Sequence, residues 1–227
     1  MAYRYSAESA ESRKYLPAYL HIAFILKCTQ AGNYVREDVL ASFIRLVTHT
    51  PELQGYAAQR LFAALKTDLS QDSLTLAGVW TIGEFGDVLL QAGQFEDEES
   101  VREVNATEVI DLFDSILLSP YVNGTVRQFA VTSCTKLSTR FPQGPEQQRL
   151  LKIVHGFATS PDVEIQQRAI EYNRLLSDVE ESVRSAVLER MPPPELKATV
   201  IGTVSEKRAV GSTRSDKTVS LRISRRL

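Results

Sequence analysis

Hydrophobic side chains recur every three or four residues along most of this chain, which is the period of an amphipathic α-helix. Residues 35–49 have this pattern. Pro51 ends that helix and can begin the next one, because proline is tolerated in the first helical turn. The same period predicts the other helices. They cover residues 15–30, 51–65, 73–90, 105–117, 123–140, 146–158, 162–176 and 180–190.

The segment from Ser73 to Leu90 is apolar on nearly every side of the predicted helix. A helix without a polar face is typically enclosed by other helices. The sequence therefore predicts an all-α protein built in layers, with this segment in the interior.

Two of the predicted helices look like copies of one unit. Residues 123–140 and 162–176 carry apolar stripes at the same relative positions, with Val126 and Val163 as corresponding residues. Their spacing is just below that of HEAT and armadillo units. Helix pairs of this kind stack into an α-solenoid of antiparallel pairs, which is the predicted fold class.

The formal net charge is only −2, but the charges are unevenly distributed. Residues 94–103 are strongly acidic and predict an exposed loop; they lack the spaced ligands and turn glycine of a calcium-binding loop. The three prolines from Pro192 to Pro194 end the helical pattern. After them, basic residues outnumber acidic ones. We predict a flexible N-terminus at 1–14, an α-solenoid at 15–191 and a disordered basic tail at 192–227.

The apolar run from Leu16 to Leu26 allows more than one interpretation. It follows two basic residues and superficially resembles a secretory signal. Pro17, His21 and the closing Lys27 favour a buried helix instead. The run is also too short to span a bilayer, which needs about 20 apolar residues.

Motifs that carry chemistry are missing from the sequence. It contains no phosphate-binding glycine loop, zinc-protease helix or serine-hydrolase elbow. Gly83–Gly86 is too short for a nucleotide fingerprint and lies within a predicted helix. His21, His49 and His155 are widely separated. We therefore predict no catalytic, cofactor-binding or metal-binding residues, no cofactor and no enzymatic activity.

Three short matches to known motifs, and one cysteine, have simpler structural explanations. Asn105 and Asn123 each begin a glycosylation sequon, but both lie where a helix starts and predict N-caps. Asp111–Phe113 matches an endocytic peptide motif, although its apolar residues lie on the buried helix face. Cys134 lies on a buried stripe and is expected to act as a small hydrophobic residue.

Several longer motifs resemble gamma-adaptins, the large subunits of type 1 clathrin adaptor complexes. They occur in the family's order from Ala31 to Pro192. The motifs are Ala31–Asp38, Gln59–Leu61, Trp80–Asp87, Lys136–Phe141, Gln166–Asn173 and Leu188–Pro192.

The resemblance implies a scaffold for protein sorting at the trans-Golgi network and endosomes. The implied partners are beta-adaptin, the medium and small chains and an Arf-type GTPase. Attachment would be peripheral, on clathrin-coated vesicles through the complex, and no nucleic acid is expected. The family's N-terminal half-trunk, hinge and ear have no counterpart here, so their functions are not carried over. The alternative is a free-standing HEAT-like binding module unrelated to coats.

Overall fold

The computed structural model describes residue 35, residues 37–91 and residues 103–193. Within these residues the chain is helical, without a strand. The α-helices are α1 (Glu37–His49), α2 (Pro51–Thr67), α3 (Asp72–Gln91), α4 (Ala106–Leu118), α5 (Gly124–Arg140), α6 (Pro145–Gly156), α7 (Val163–Asp178) and α8 (Glu181–Val187), with a 3-10 turn at Phe157–Thr159. The all-α prediction is confirmed.

Side-chain caps begin two of the helices where the sequence predicts them. Asn105 forms a capping box with Glu108: its Oδ1 accepts from the Glu108 amide at 2.8 Å, and its own amide donates to the Glu108 carboxylate at 3.4 Å. The Asn123 Oδ1 accepts from the Val126 amide at 2.9 Å. Each contact satisfies an amide that the first helical turn would otherwise leave unpaired.

The helices form two layers. The first contains α1, α3, α5 and α7, which contact one another in that order, and the second contains α2, α4 and α6. Two pairs that cross between the layers, α2 with α3 and α4 with α5, are each joined by a short connection, which makes the two helices of a pair antiparallel. This is the predicted α-solenoid of stacked helix pairs.

Contacts within a layer reveal the repeat. Thr107 of α4 donates to Glu146 of α6, 39 residues away, and Tyr172 of α7 donates to Thr132 of α5, 40 residues away. Arg149 of α6 donates to Asp111 of α4, 38 residues away. The predicted repeat is therefore a real structural period.

Helix α3 lies in the interior, as its apolar sequence predicts. Twelve of its residues are buried, among them Gly83 and Gly86. A Cβ built on Gly83 would lie 2.3 Å from the Ser133 Oγ, and one on Gly86 would lie 2.3 Å from a Leu137 methyl group. Glycine is needed at Gly83, because a side chain there would also meet the Ser133 Cα of α5 at 3.1 Å, whereas at Gly86 the flexible Leu137 side chain would have to shift. The helix is broken at Phe85, whose φ of −125° and ψ of 24° are not helical.

The last helix is shorter than predicted. We expect a helix over residues 180–190, but α8 ends at Val187. Leu188 turns inward and is only 5% exposed, while Arg190 reaches α3. These tertiary contacts end the helix, although no local helix-breaking residue precedes Pro192.

Several predictions fall outside the described residues. They are the helix at 15–30, most of the acidic loop at 94–103, and the basic tail after Pro193. The proposed boundaries at 14 and 191 stay predictions. Among the helices that are described, none combines the length and apolar content that crossing a bilayer requires.

One buried hydroxyl provides a test of this core. Thr81 of α3 is fully buried, and its Oγ1 has no hydrogen-bond partner among the described residues. We expect Thr81→Val to stabilise the protein by about 1 kcal/mol, because it removes a desolvated polar group and keeps the shape. Urea unfolding followed by circular dichroism measures the change.

Thr135 of α5 is the matched control. It is also fully buried, but its Oγ1 donates to the Val131 carbonyl at 3.0 Å. Thr135→Val should therefore destabilise the protein by about 1 kcal/mol. If both variants shift stability in the same direction, Thr81 is not the unsatisfied group that the structure indicates.

Candidate functional site: a charged junction of three motifs

The histidines and the cysteine that were considered as metal ligands or nucleophiles are spread over the fold. His49 and His155 lie exposed in the last turns of α1 and α6. No group of three or more potential metal ligands comes together in the described part of the chain. Cys134 is fully buried in α5, and burial raises the pKa of its thiol far above the usual range. It is therefore a core residue, as predicted.

The endocytic-like motif and the short glycine motif also belong to the core. Leu112 and Phe113 of α4 are buried in the main hydrophobic cluster. Gly83–Gly86 lies within α3 and contacts α5, so its glycines allow helix packing. Neither motif presents a free surface to a ligand.

Three of the family-like motifs meet at one place in the structure. Trp80–Asp87 lies on α3, Lys136–Phe141 ends α5, and Leu188–Pro192 follows α8. Their charged side chains join in a network of ion pairs and hydrogen bonds that links α3, α5 and the segment after α8. We call this network the charged junction, and it consists of Glu84, Asp87, Lys136, Arg140 and Arg190.

Glu84 is the centre of the charged junction. Its side chain is almost fully buried, and its two oxygens take different partners: Lys136 Nζ contacts Oε1, and Arg140 Nη2 donates to Oε2 at 3.2 Å. A buried carboxylate requires such compensation, because removing a charge from water costs several kcal/mol. Burial lowers the pKa of Arg140, and the charge of Glu84 opposes that shift.

Arg190 closes the junction from the C-terminal side. Its Nη2 lies 2.5 Å from both carboxylate oxygens of Asp87, and its Nε donates to the Glu84 carbonyl at 3.1 Å. The guanidinium carbon lies 5.5 Å from the centre of the Phe85 ring. One side chain thus combines an ion pair, a backbone hydrogen bond and a cation–π contact.

The junction lies at the break in α3. The non-helical dihedral angles of Phe85 disturb the regular hydrogen bonding of the preceding carbonyl groups. Arg140 Nη1 donates to the Gly83 carbonyl, and Arg190 donates to that of Glu84. The two arginines therefore supply donors where the helix is interrupted.

The other family-like motifs take part in ordinary packing. Gln166–Asn173 lies in α7, where the Tyr172 hydroxyl donates to Thr132 Oγ1 at 3.1 Å. Gln59–Leu61 lies in α2, and Leu61 is fully buried. Only part of Ala31–Asp38 falls within the described residues. These motifs are separate from the charged junction.

The junction was not predicted from the sequence, although signals for it were present. Glu84 and Asp87 are acids one turn apart in an otherwise apolar stretch of α3, and Lys136 and Arg140 are spaced to lie on one face of α5. A charge inside an apolar helix predicts a buried partner of the opposite sign. The role of Arg190 could not be inferred in this way, because 103 residues separate it from Asp87.

The second layer, which contains α2, α4 and α6, has a groove and a second set of ion pairs. Arg149 of α6 donates to Asp111 and Asp114 of α4 at 2.9 and 3.1 Å. Between α2 and α4 lies an open groove of about 620 Å³, bordered at one end by the exposed Tyr121. This groove and the charged junction contain no arrangement of acid, base and nucleophile that would support catalysis.

Comparison with known proteins places this architecture in a family. The model of the adaptin N-terminal region matches residues 17–180. The chain is 59% identical over 198 residues to AP-1 complex subunit gamma-1 of Mycosarcoma maydis, covering 87% of this chain and 22% of that protein.

Two relatives with lower identity are also gamma subunits of AP-1 complexes. AP-1 complex subunit gamma of Dictyostelium discoideum is 39% identical over 73% of this chain and 18% of its own length. AP-1 complex subunit gamma-1 of Schizosaccharomyces pombe is 36% identical over 72% of this chain and 19% of its own length. The chain thus spans about a fifth of the relatives that it matches. With its helical stack and its clustered motifs, it belongs to the adaptin family and resembles the gamma subunits of AP-1 complexes.

Proposed function

We propose that this chain is a scaffold segment of a clathrin adaptor large subunit, acting in vesicle-mediated protein sorting at the trans-Golgi network and endosomes. The observation that carries the proposal is the match to adaptins over residues 17–180, on a stack of paired helices. Stacked helix pairs give long, rigid surfaces that suit assembly contacts. The role is structural and not enzymatic.

The proposed partners are the other chains of the same complex. They are beta-adaptin and the medium and small chains, with an Arf-type GTPase as the membrane-linked partner. Association with vesicles would be peripheral and would depend on the assembled coat. The charged junction supports this role because it ties α3 to α5 inside the stack.

Co-purification tests the proposal. The full chain, carrying an affinity tag, is expressed in fungal cells, and the recovered proteins are identified by mass spectrometry. We expect beta, medium and small adaptor chains in the recovered material. Recovery of an unrelated set of proteins would instead support a free-standing HEAT-like module, and the adaptor role would be rejected.

Two variants test whether the recovery of adaptor chains depends on the folded stack and not on other parts of the chain. Glu84→Gln removes the central charge of the buried junction, whereas Asp114→Asn removes a partly exposed carboxylate. If the folded stack is the scaffold, recovery of adaptor chains should fall with Glu84→Gln and be retained with Asp114→Asn. Equal recovery with a demonstrably unfolded Glu84→Gln stack would contradict the proposal.

A further inference from the structure

The end of the described stack is attached very differently from the helices before it. Helix α8 buries none of its residues, and Val183 and Val187 lie exposed on one of its faces. Its own link to α7 is a hydrogen bond of 2.9 Å from Arg184 to the Leu176 carbonyl. We call residues 181–190 the terminal strap. Burial of its helix contributes little to holding it in place.

Most of the other attachments of the terminal strap are at its end. Leu188 is buried, and its carbonyl accepts from Arg140 Nη2 at 3.4 Å. Arg190 contacts Asp87, the Glu84 carbonyl and the Phe85 ring. The strap is therefore fastened at the break in α3, far away in sequence.

The contact that fastens the strap is open to solvent on one side. The side chains of Arg190 and Asp87 are 40% and 30% exposed, whereas those of Lys136 and Glu84 are 10% and 4% exposed. A partly exposed ion pair is weakened by salt, while a buried one is much less affected. The junction thus has a buried inner part, Glu84 with Lys136 and Arg140, and an outer part that water can reach.

We propose that the terminal strap is a detachable unit, fastened to the α3 break by Arg190, which opens while the rest of the stack stays folded. Opening would uncover the Phe85 ring and the Leu188 side chain and would free the carbonyl of Glu84 from Arg190. Regions with little apolar burial and few tertiary hydrogen bonds open at low free-energy cost. Opening would also break the bond from Arg140 to the Leu188 carbonyl, whereas the contacts of Glu84 with Lys136 and Arg140 would stay.

Native-state hydrogen exchange on the full chain, with Arg190→Ala, tests this directly. The strap amides of Arg184 and Leu188 donate to Glu180 and Arg184 carbonyls, at 3.0 Å each. In the variant they should exchange about tenfold faster, since an ionic hydrogen bond that opposes opening is lost. Exchange in α3 and α5 should be unchanged. Unaltered strap exchange, or equal acceleration in α3 and α5, would overturn the proposal.

Arg149→Ala is the matched control. The Arg149 side chain is also 40% exposed and also binds carboxylates, but it joins α4 to α6. It should leave exchange of the strap unchanged. Arg190→Lys keeps the charge but loses the planar contacts, so it should give an intermediate rate.

Salt provides a second, independent measurement. Raising the ionic strength well above physiological values should speed exchange of the strap in the natural chain, because it screens Arg190 from Asp87. The Arg190→Ala chain should no longer respond. A strap that stays equally sensitive to salt without Arg190 would show that another contact fastens it.

Discussion

Replacing Gly83 by Ala should destabilise the protein by about 3 kcal/mol and lower its Tm by about 10 °C. Alanine is the better helix former by about 1 kcal/mol. Steric conflict outweighs this gain, because the new Cβ would lie 2.6 Å from the Ser133 Cβ and 3.1 Å from its Cα. A backbone atom cannot rotate away, so α5 would have to move. The Ser133 hydroxyl would also lose its bond of 2.9 Å to the Val79 carbonyl. Thermal unfolding followed by circular dichroism measures the effect.

Gly156→Ala is the control for that substitution. Gly156 ends α6 with helical dihedral angles, and a Cβ built on it meets no atom within 4 Å. This substitution should stabilise the protein by about 0.7 kcal/mol, because alanine has less conformational freedom to lose. If Gly83→Ala proved as harmless as Gly156→Ala, α3 and α5 would be less closely packed than the structure indicates.

Glu84→Gln should destabilise the protein by about 3 kcal/mol. The amide has nearly the same size as the carboxylate, so the loss comes from charge. Lys136 and Arg140 would be left buried beside a neutral group, with part of their desolvation cost uncompensated. Urea unfolding measures the free energy. Adding Lys136→Met to this variant should restore part of the loss, because it removes one of the two unpaired charges.

Asp114→Asn is the control that measures how burial changes the stability cost of losing a carboxylate. Asp114 also pairs with an arginine, at 3.1 Å, but its side chain is 39% exposed. Its loss should cost only about 0.3 kcal/mol. A Glu84→Gln cost as small as this would mean that water or another acid compensates Lys136 and Arg140 in the variant.

The sequence predicted those parts of the fold that depend on neighbouring residues. Asn105 and its partner Glu108 are three residues apart, so the start of α4 could be derived from local chemistry. The interior position of α3 followed from its apolar residues, which lie on nearly every side of the helix. This feature is visible in the segment itself, without information on the helices that pack against it. The stacking period followed from two similar helices, and contacts 38 to 40 residues apart confirm it.

The sequence could not predict features that depend on distant partners. At the break at Phe85, arginines from two other segments donate to carbonyls that lie 57 and 106 residues away in sequence. The early end of α8 also depends on distant partners, because Leu188 and Arg190 contact α5 and α3 instead of continuing the helix. Glu84 could be recognised as a buried charge, but the identity of its partners required the fold.

The spacing of hydrogen bonds along the chain differs between parts of the stack. Bonds between α3 and α5 join residues 52 to 57 apart, whereas those from α5 to α7 and from α4 to α6 join residues 35 to 40 apart. The entropy of closing a chain loop grows only with the logarithm of its length, so this longer separation costs about 0.3 kcal/mol. That cost is small beside the loss of about 3 kcal/mol expected when Glu84 of the charged junction is neutralised. The stack should therefore tolerate changes in the length of the connection between α3 and α4 at little cost in stability.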